Sequence, residues 1–296
     1  MVFLYDMMWS NIHVLGGDGG SQEEIMQRIR WPGIAAARLA TLSLALSAPS
    51  ALCALPAQAW TFKTLYQFTG GANGSGPVGG LLRDPATGNL YGVTHGGGKQ
   101  NCDGFSCGIV FKLSASGELS VLHSFGKWEE GFWPTIGLAE DEAGNLFGAN
   151  TGGGGAPRCN TNGSGCGVVF KLAPDGKYTV LHTFSFQTDG GYPLTRLVRD
   201  PADGDIYGTG IYGPEIFRIS ANGNFMFHHT QSDYYPTGLV RNANGTLFVL
   251  TEYGGSCCGT IFKVSPTWKE RVVHDFRHRK VEGYPVSLTM DASGNL

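Results

Sequence analysis

The sequence predicts an all-β, β-propeller-like tandem repeat built from four-stranded blades of about 45–60 residues. Three observations lead there. Glycine supplies 46 of 296 residues while aromatic residues make up 11% and charged ones only 15%. Nothing after residue 60 shows sustained helical periodicity. One strand phrase returns four times at the period of a propeller blade.

Composition removes several classes first. The glycines have no three-residue period, which excludes collagen. A hydrophobic share of 42% is too high for a disordered tail. The net charge of −3 leaves no basic footprint for nucleic acid or for an anionic membrane surface.

The chain opens with an address. Arg28, Arg30 and Arg38 precede the apolar run Leu39–Leu46, and Ala57-Gln58-Ala59 closes the segment. Basic, apolar, then A-x-A is the order of a secretory signal peptide. Residues 1–59 therefore read as a leader, with Met26 as the true start and export to the periplasm, the cell surface or the medium. The mature chain starts near Trp60 and holds no membrane span. Its six cysteines form local pairs: Cys102 with Cys107, Cys159 with Cys166, and Cys257 with Cys258. An oxidising compartment favours loop disulfides. Adjacent Cys257 and Cys258 are read either as a vicinal disulfide or as reduced thiols.

The repeat occupies residues 60–296, divided as 62–119, 120–178, 179–225, 226–270 and a partial 271–296. A strand phrase centres on Phe111, Phe170, Phe217 and Phe262, which lie 59, 47 and 45 residues apart. A second strand follows, Val121–Phe125, Val180–Phe184 and Val272–Phe276, with His229 keeping the register in the third copy. Next comes an aromatic–Pro step at Trp133, Tyr192, Tyr235 and Tyr284. In the second copy the strands are expected at 136–141, 145–150, 167–172 and 178–184, bounded by Gly/Asp/Asn turns. The chain ends at Leu296 inside the fifth copy, so the sequence reads as truncated there, with any C-terminal anchor out of view. Thr61–Phe68 matches a fourth strand and is expected to complete that last blade.

The phrases Asn89-Leu90-Tyr91-Gly92, Val110-Phe111-Lys112-Leu113 and Val121-Leu122-His123-Ser124-Phe125 resemble the GloVer-type tandem repeat of exported bacterial choice-of-anchor proteins. The resemblance covers about 62–296. It implies an exported, often surface-attached propeller, and it brings no reaction and no catalytic residues. The third copy departs from it, with Asp205-Ile206-Tyr207-Gly208 and a shortened Tyr212-Gly213-Pro214 loop.

Two loop sets share one face of a propeller: the glycine-rich cysteine loops and the interblade loops. The latter offer Trp128, Glu129, Glu130, Trp133, Asp189, Tyr192, Asp233, Tyr234, Tyr235 and Tyr284 as candidate ligand contacts. Aromatic faces beside carboxylates suit sugars, and aromatic anchors also suit protein partners. The aromatics before proline recur in four copies, which points to blade packing ahead of ligand contact. His123, His182, His229 and His274 recur as well and read as structural hydrogen-bonding groups, and Lys112, Lys171, Arg218 and Lys263 after the core phenylalanines read as snorkelling side chains. The Asp84–Asn89 and Asp200–Asp205 turns lack a calcium-loop pattern. No G-x-S-x-G, H-E-x-x-H or P-loop is present. The reading is a binding or scaffold module for a glycan or protein ligand, without cofactor or metal. The alternative is a carbohydrate-active hydrolase or lyase pairing Glu129 or Glu130 with Asp189 or Asp233 across a cleft.

Overall fold

The computed structural model describes residues 11–17, 60–99, 102, 106–154, 165–186, 188–211, 216–228, 235–256, 258–277 and 285–296. The chain divides into two units. One holds most of residues 1–65, and the other holds Tyr66–Leu296 together with 6–11. In the first, β1 (Asn11–Gly17) and β2 (Trp60–Gln67) make a two-stranded sheet. The rest of the leader expected over 1–59 lies outside the described residues.

The second unit carries four antiparallel sheets and, among the described residues, no α-helix. The first sheet runs β3 (Ser75–Arg83), β4 (Leu90–Gly96), β5 (Ile109–Leu113), β6 (Leu119–Ser124). In the second, the inner strand is split into β7 (Phe132–Pro134) and β8 (Ala139–Glu140), both paired with β9 (Leu146–Gly152). Then follow β10 (Val168–Leu172) and β11 (Tyr178–Thr183). The third contains β12 (Val198–Arg199), β13 (Ile206–Thr209), β14 (Ile216–Ile219) and β15 (Phe225–His228). The fourth contains β16 (Pro236–Arg241), β17 (Leu247–Thr251), β18 (Thr260–Val264) and β19 (Glu270–Asp275). Apart from the split inner strand, where β7 and β8 both pair with β9, every neighbour in these sheets is the next strand in sequence, as in a propeller blade.

Two expectations shift. Thr61–Phe68 does form a strand, but β2 pairs with β1 rather than completing the last blade. Residues 285–296 carry no strand. In the third copy, the histidine in register is His228, not His229. His228 faces Ile216 as His123 faces Val110, His182 faces Val169 and His274 faces Ile261. The other three sheets have a bulge beside this position and the third has none, which moves the register by one residue. His229 itself lies outside the described residues.

The core explains the repeated phrase. Phe111, Phe170 and Phe217 are fully buried at the centre of β5, β10 and β14. Each meets a second buried phenylalanine: Phe125 and Phe184 follow the last strand of the preceding sheet, and Phe68 follows β2. Phe68 meets Phe111 at 5.1 Å and 62°, Phe125 meets Phe170 at 5.5 Å and 64°, and Phe184 meets Phe217 at 5.3 Å and 67°. Such edge-to-face pairs add about 0.5–1.5 kcal/mol beyond area burial. The glycine of the preceding strand phrase is the seat of this ring. A Cβ on Gly148 would lie 2.4 Å from Phe170 Cζ, and Gly92 and Gly208 hold the same relation to Phe111 and Phe217.

The Cys-Gly step has its own cause. Gly167 has φ +91°, and a Cβ there would lie 2.3 Å from the Asn150 carbonyl. Gly108 and Gly259 repeat this against Thr94 and Thr251. The cysteine just before each is buried. Cys102 and Cys107 form a disulfide with Cα atoms 5.6 Å apart, and Cys166 and Cys258 each take part in a separate disulfide. Cys159 and Cys257 lie outside the described residues.

Gly167→Ala is therefore expected to cost at least about 2 kcal/mol in urea unfolding, from the left-handed backbone and the carbonyl clash together. Gly176→Ala, at φ +87° with open space around it, is expected to cost only about 1 kcal/mol. Equal losses would show that the close approach at Gly167 contributes nothing.

Candidate functional site

The loop face is built from the interblade turns and the cysteine loops. The first turn spans Trp128–Glu130 as one turn of 3-10 helix. The Trp128 carbonyl accepts N–H groups from Gly131 at 3.1 Å and Gly154 at 2.8 Å, tying the turn to the end of β9. The Trp128 ring is half-buried, 5.5 Å from Phe132. Glu129 is exposed. The Glu130 carboxylate stands 3.6 Å from both His123 and Lys127, and its carbonyl accepts from Tyr178 and Asn150. Glu130 thus belongs to the seam between the first and second sheets.

Asp189 is more deeply committed. It is buried and accepts from the Ser185 N–H at 2.6 Å and from His182 Nε2 at 2.6 Å. A carboxylate only accepts, so the imidazole proton sits on Nε2. The His182 ring stacks on Phe225 of the next sheet, 3.5 Å between centroids and nearly parallel. His123 stacks likewise on Tyr178 at 4.4 Å. His228 bonds Glu270 at 2.8 Å and stacks on Trp268 at 5.1 Å. Burial pushes the pKa of His123 and His182 below the usual histidine value, outweighing the pull of Glu130 and Asp189.

Trp133 and Tyr192 both sit at positive φ, 58° and 51°. Their N–H groups donate to the carbonyls of Cys107 and Cys166, clamping each cysteine loop to the next blade. Trp133 Nε1 also donates to the Ser106 carbonyl at 3.2 Å, and its ring lies parallel to His95 at 5.8 Å. Tyr235 differs: it is 42% exposed and pairs edge-on at 6.0 Å with Tyr253, itself 43% exposed. Asp233, Tyr234 and Tyr284 lie outside the described residues.

Sequence reasoning passed over His95, Arg196 and Tyr253. Arg196 was detectable, because it stands where Gly80, Gly137 and Gly238 occur in three other copies and Ser287 in the last. It donates Nε–H to the Leu138 carbonyl at 3.1 Å. Among the described residues, no group of three or more His, Cys, Asp or Glu is placed to hold a metal ion, and no helix is long and apolar enough to cross a membrane.

The four sheets and their seams define a β-propeller-like repeat protein. The chain belongs to the Gloeobacter/Verrucomicrobia repeat family, whose pattern matches residues 51–215. No curated protein matches the chain. Among solved structures it is similar to virginiamycin B lyase from Staphylococcus aureus, with a TM-score of 0.53 at 14% identity over 74% of this chain and 61% of that one. A streptogramin B lyase gives 0.52 at 14% identity over 80% and 64%. The periplasmic gluconolactonase of Pseudomonas aeruginosa gives 0.48 at 19% over 72% and 62%. The chain spans under two thirds of the length of these structures. At such identities the likeness is one of fold.

The histidine environment sets a pH dependence. A pKa lower in the folded than in the unfolded chain means that the fold disfavours the charged imidazole. That stability is present above the unfolded value of about 6.5 and is lost as pH falls through it. The thermal midpoint is expected to drop between about pH 7.5 and 5.5, and NMR titration should place His123 and His182 below about 6.5. A midpoint that rises on acidification would mean that ion pairing with Glu130 and Asp189 dominates.

Proposed function

We propose that this chain is an exported, surface-associated propeller that binds a glycan or protein ligand on its loop face, without catalysing a reaction. The observation that carries the reading is the Tyr235–Tyr253 pair. Both rings are more than two-fifths exposed, while Trp133 and Tyr192 at the same face are drawn into seams. The pair is held stiffly. The Glu252 N–H donates to the Tyr235 carbonyl at 2.8 Å, and Thr251 Oγ1 donates to the Tyr253 carbonyl at 2.8 Å. Rigid amphipathic rings stack on sugar faces and anchor protein interfaces at little entropic cost.

The carboxylates support binding over hydrolysis. A glycosidase needs two of them facing a substrate cleft roughly 5–10 Å apart. Glu130 and Asp189 are instead engaged by His123 and His182. Export is supported by the Cys102–Cys107 disulfide, because such bonds persist in oxidising compartments.

The test is Tyr235→Ser combined with Tyr253→Ser, assayed on a glycan array and on cell-envelope protein fractions. Binding is expected to weaken by at least about tenfold, as for a hot-spot pair. The thermal midpoint should hold, because exposed substitutions shift stability by only about 0.5 kcal/mol. Unchanged binding in the double variant, or release of reducing sugar by the native chain, would overturn the proposal.

A further inference from the structure

A second place in the molecule breaks the repeat, at the opposite end from the loop face. The turn joining the last two strands of a sheet has a fixed form. Its fourth residue returns an N–H to the carbonyl three residues back, from Gly117 to Ser114, Gly176 to Ala173 and Gly223 to Ser220. These glycines have φ of 90°, 87° and 88°. In the fourth sheet the same bond runs from Trp268 to Ser265 at 2.8 Å, and Trp268 sits at φ 59°. A bulky side chain in the left-handed region is a genuine outlier. Strain of this kind persists where surrounding structure imposes it and points to a functional role.

Trp268 lines a cleft of about 390 Å³ between the third and fourth sheets, with Asp200, Asp203, Tyr207, Arg218 and Arg241. That volume lies within the usual range for small-molecule sites. Across the cleft, Arg241 of the fourth sheet forms an ion pair with Asp200 of the third, and Arg218 forms one with Asp205. Arg241 Nη1 also donates to the Asn242 carbonyl at 3.3 Å, while its Nε is buried without a partner. That Nε has no solvent access, so the donor facing the cleft is the Arg218 guanidinium, whose side chain is 32% exposed. Burial raises the Tyr207 pKa, so its hydroxyl stays protonated and able to donate. Asp203 is exposed at the rim.

We propose that this cleft binds a neutral saccharide of one or two rings. With Asp200 and Asp205 paired to Arg241 and Arg218, the exposed carboxylate of Asp203 leaves one negative charge in excess, so the lining disfavours an anion. It presents fixed donors and acceptors side by side, the arrangement that vicinal hydroxyls match. Trp268 and Tyr207 supply the aromatic surface on which sugar C–H groups pack. This site is separate from the loop face and does not depend on the reading proposed for that face.

The experiment titrates the whole chain with three neutral sugars, methyl glucoside, methyl galactoside and cellobiose, and with glucuronate, at millimolar concentrations, read by calorimetry and tryptophan fluorescence. Trp268→Gly installs the turn residue of the other three sheets. It is expected to leave the chain folded and to weaken sugar binding by at least about tenfold. Asp203→Asn keeps the acceptor for the Asp205 N–H and is expected to weaken binding severalfold, an independent check should Trp268→Gly unfold. Tyr235→Ser with Tyr253→Ser should bind these sugars as the native chain does, which separates this site from the loop face. Failure of all three sugars to bind, binding that survives both cleft variants, or binding of glucuronate alone would overturn the proposal.

Discussion

The structure depends on one contact made repeatedly: a phenylalanine from the end of one blade inserts edge-on against the central phenylalanine of the next. Each blade is a small sheet of short strands that cannot bury both faces alone. Phe125 on Phe170 and Phe184 on Phe217 make the cores of the second and third blades partly the property of their neighbours, and Phe68 seals Phe111 of the first in the same way. Stability in such an array is a sum of blade terms and nearest-neighbour terms. The glycine opposite each central ring, and the histidine stacked above the seam, follow from that geometry. A side chain at Gly148 would occupy the space of the Phe170 ring.

Once the seams are accounted for, the repeated residues have little left to offer a ligand. Trp133, Tyr192, Glu130 and Asp189 each close a junction between blades. What remains are departures from the repeat. Tyr253 is exposed beside Tyr235, Arg196 replaces a glycine, and Trp268 replaces a turn glycine. These residues distinguish one blade from another, and an asymmetric ligand can only be read by an asymmetric surface.

Much of the fold was legible because the cause of each element is local and recurs. The spacing of Phe111, Phe170, Phe217 and Phe262 gave the blade period, and the turns between them gave strand limits within a residue or two. The second-copy strands expected at 145–150 and 167–172 appear as β9 and β10. The split of the inner strand into β7 and β8 was not legible, because it arises from pairing to β9 and leaves no mark in periodicity. The register at His228 was missed for the same reason: a bulge is a property of the pair of strands. The candidate ligand residues were picked by chemical type, and type alone could not tell that Asp189 is buried against His182 while Tyr235 is open. Comparing copies position by position would have exposed Arg196 and Trp268 beforehand.

The central claim is that ring-on-ring contact couples neighbouring blades. A double-mutant cycle on Phe184 and Phe217, each changed to leucine singly and together, measures that coupling in urea unfolding. The account predicts a coupling of about 0.5–1.5 kcal/mol, the worth of an edge-to-face pair beyond simple burial. Strictly additive losses would contradict it, and would mean that the blades are joined by backbone and loop contacts instead.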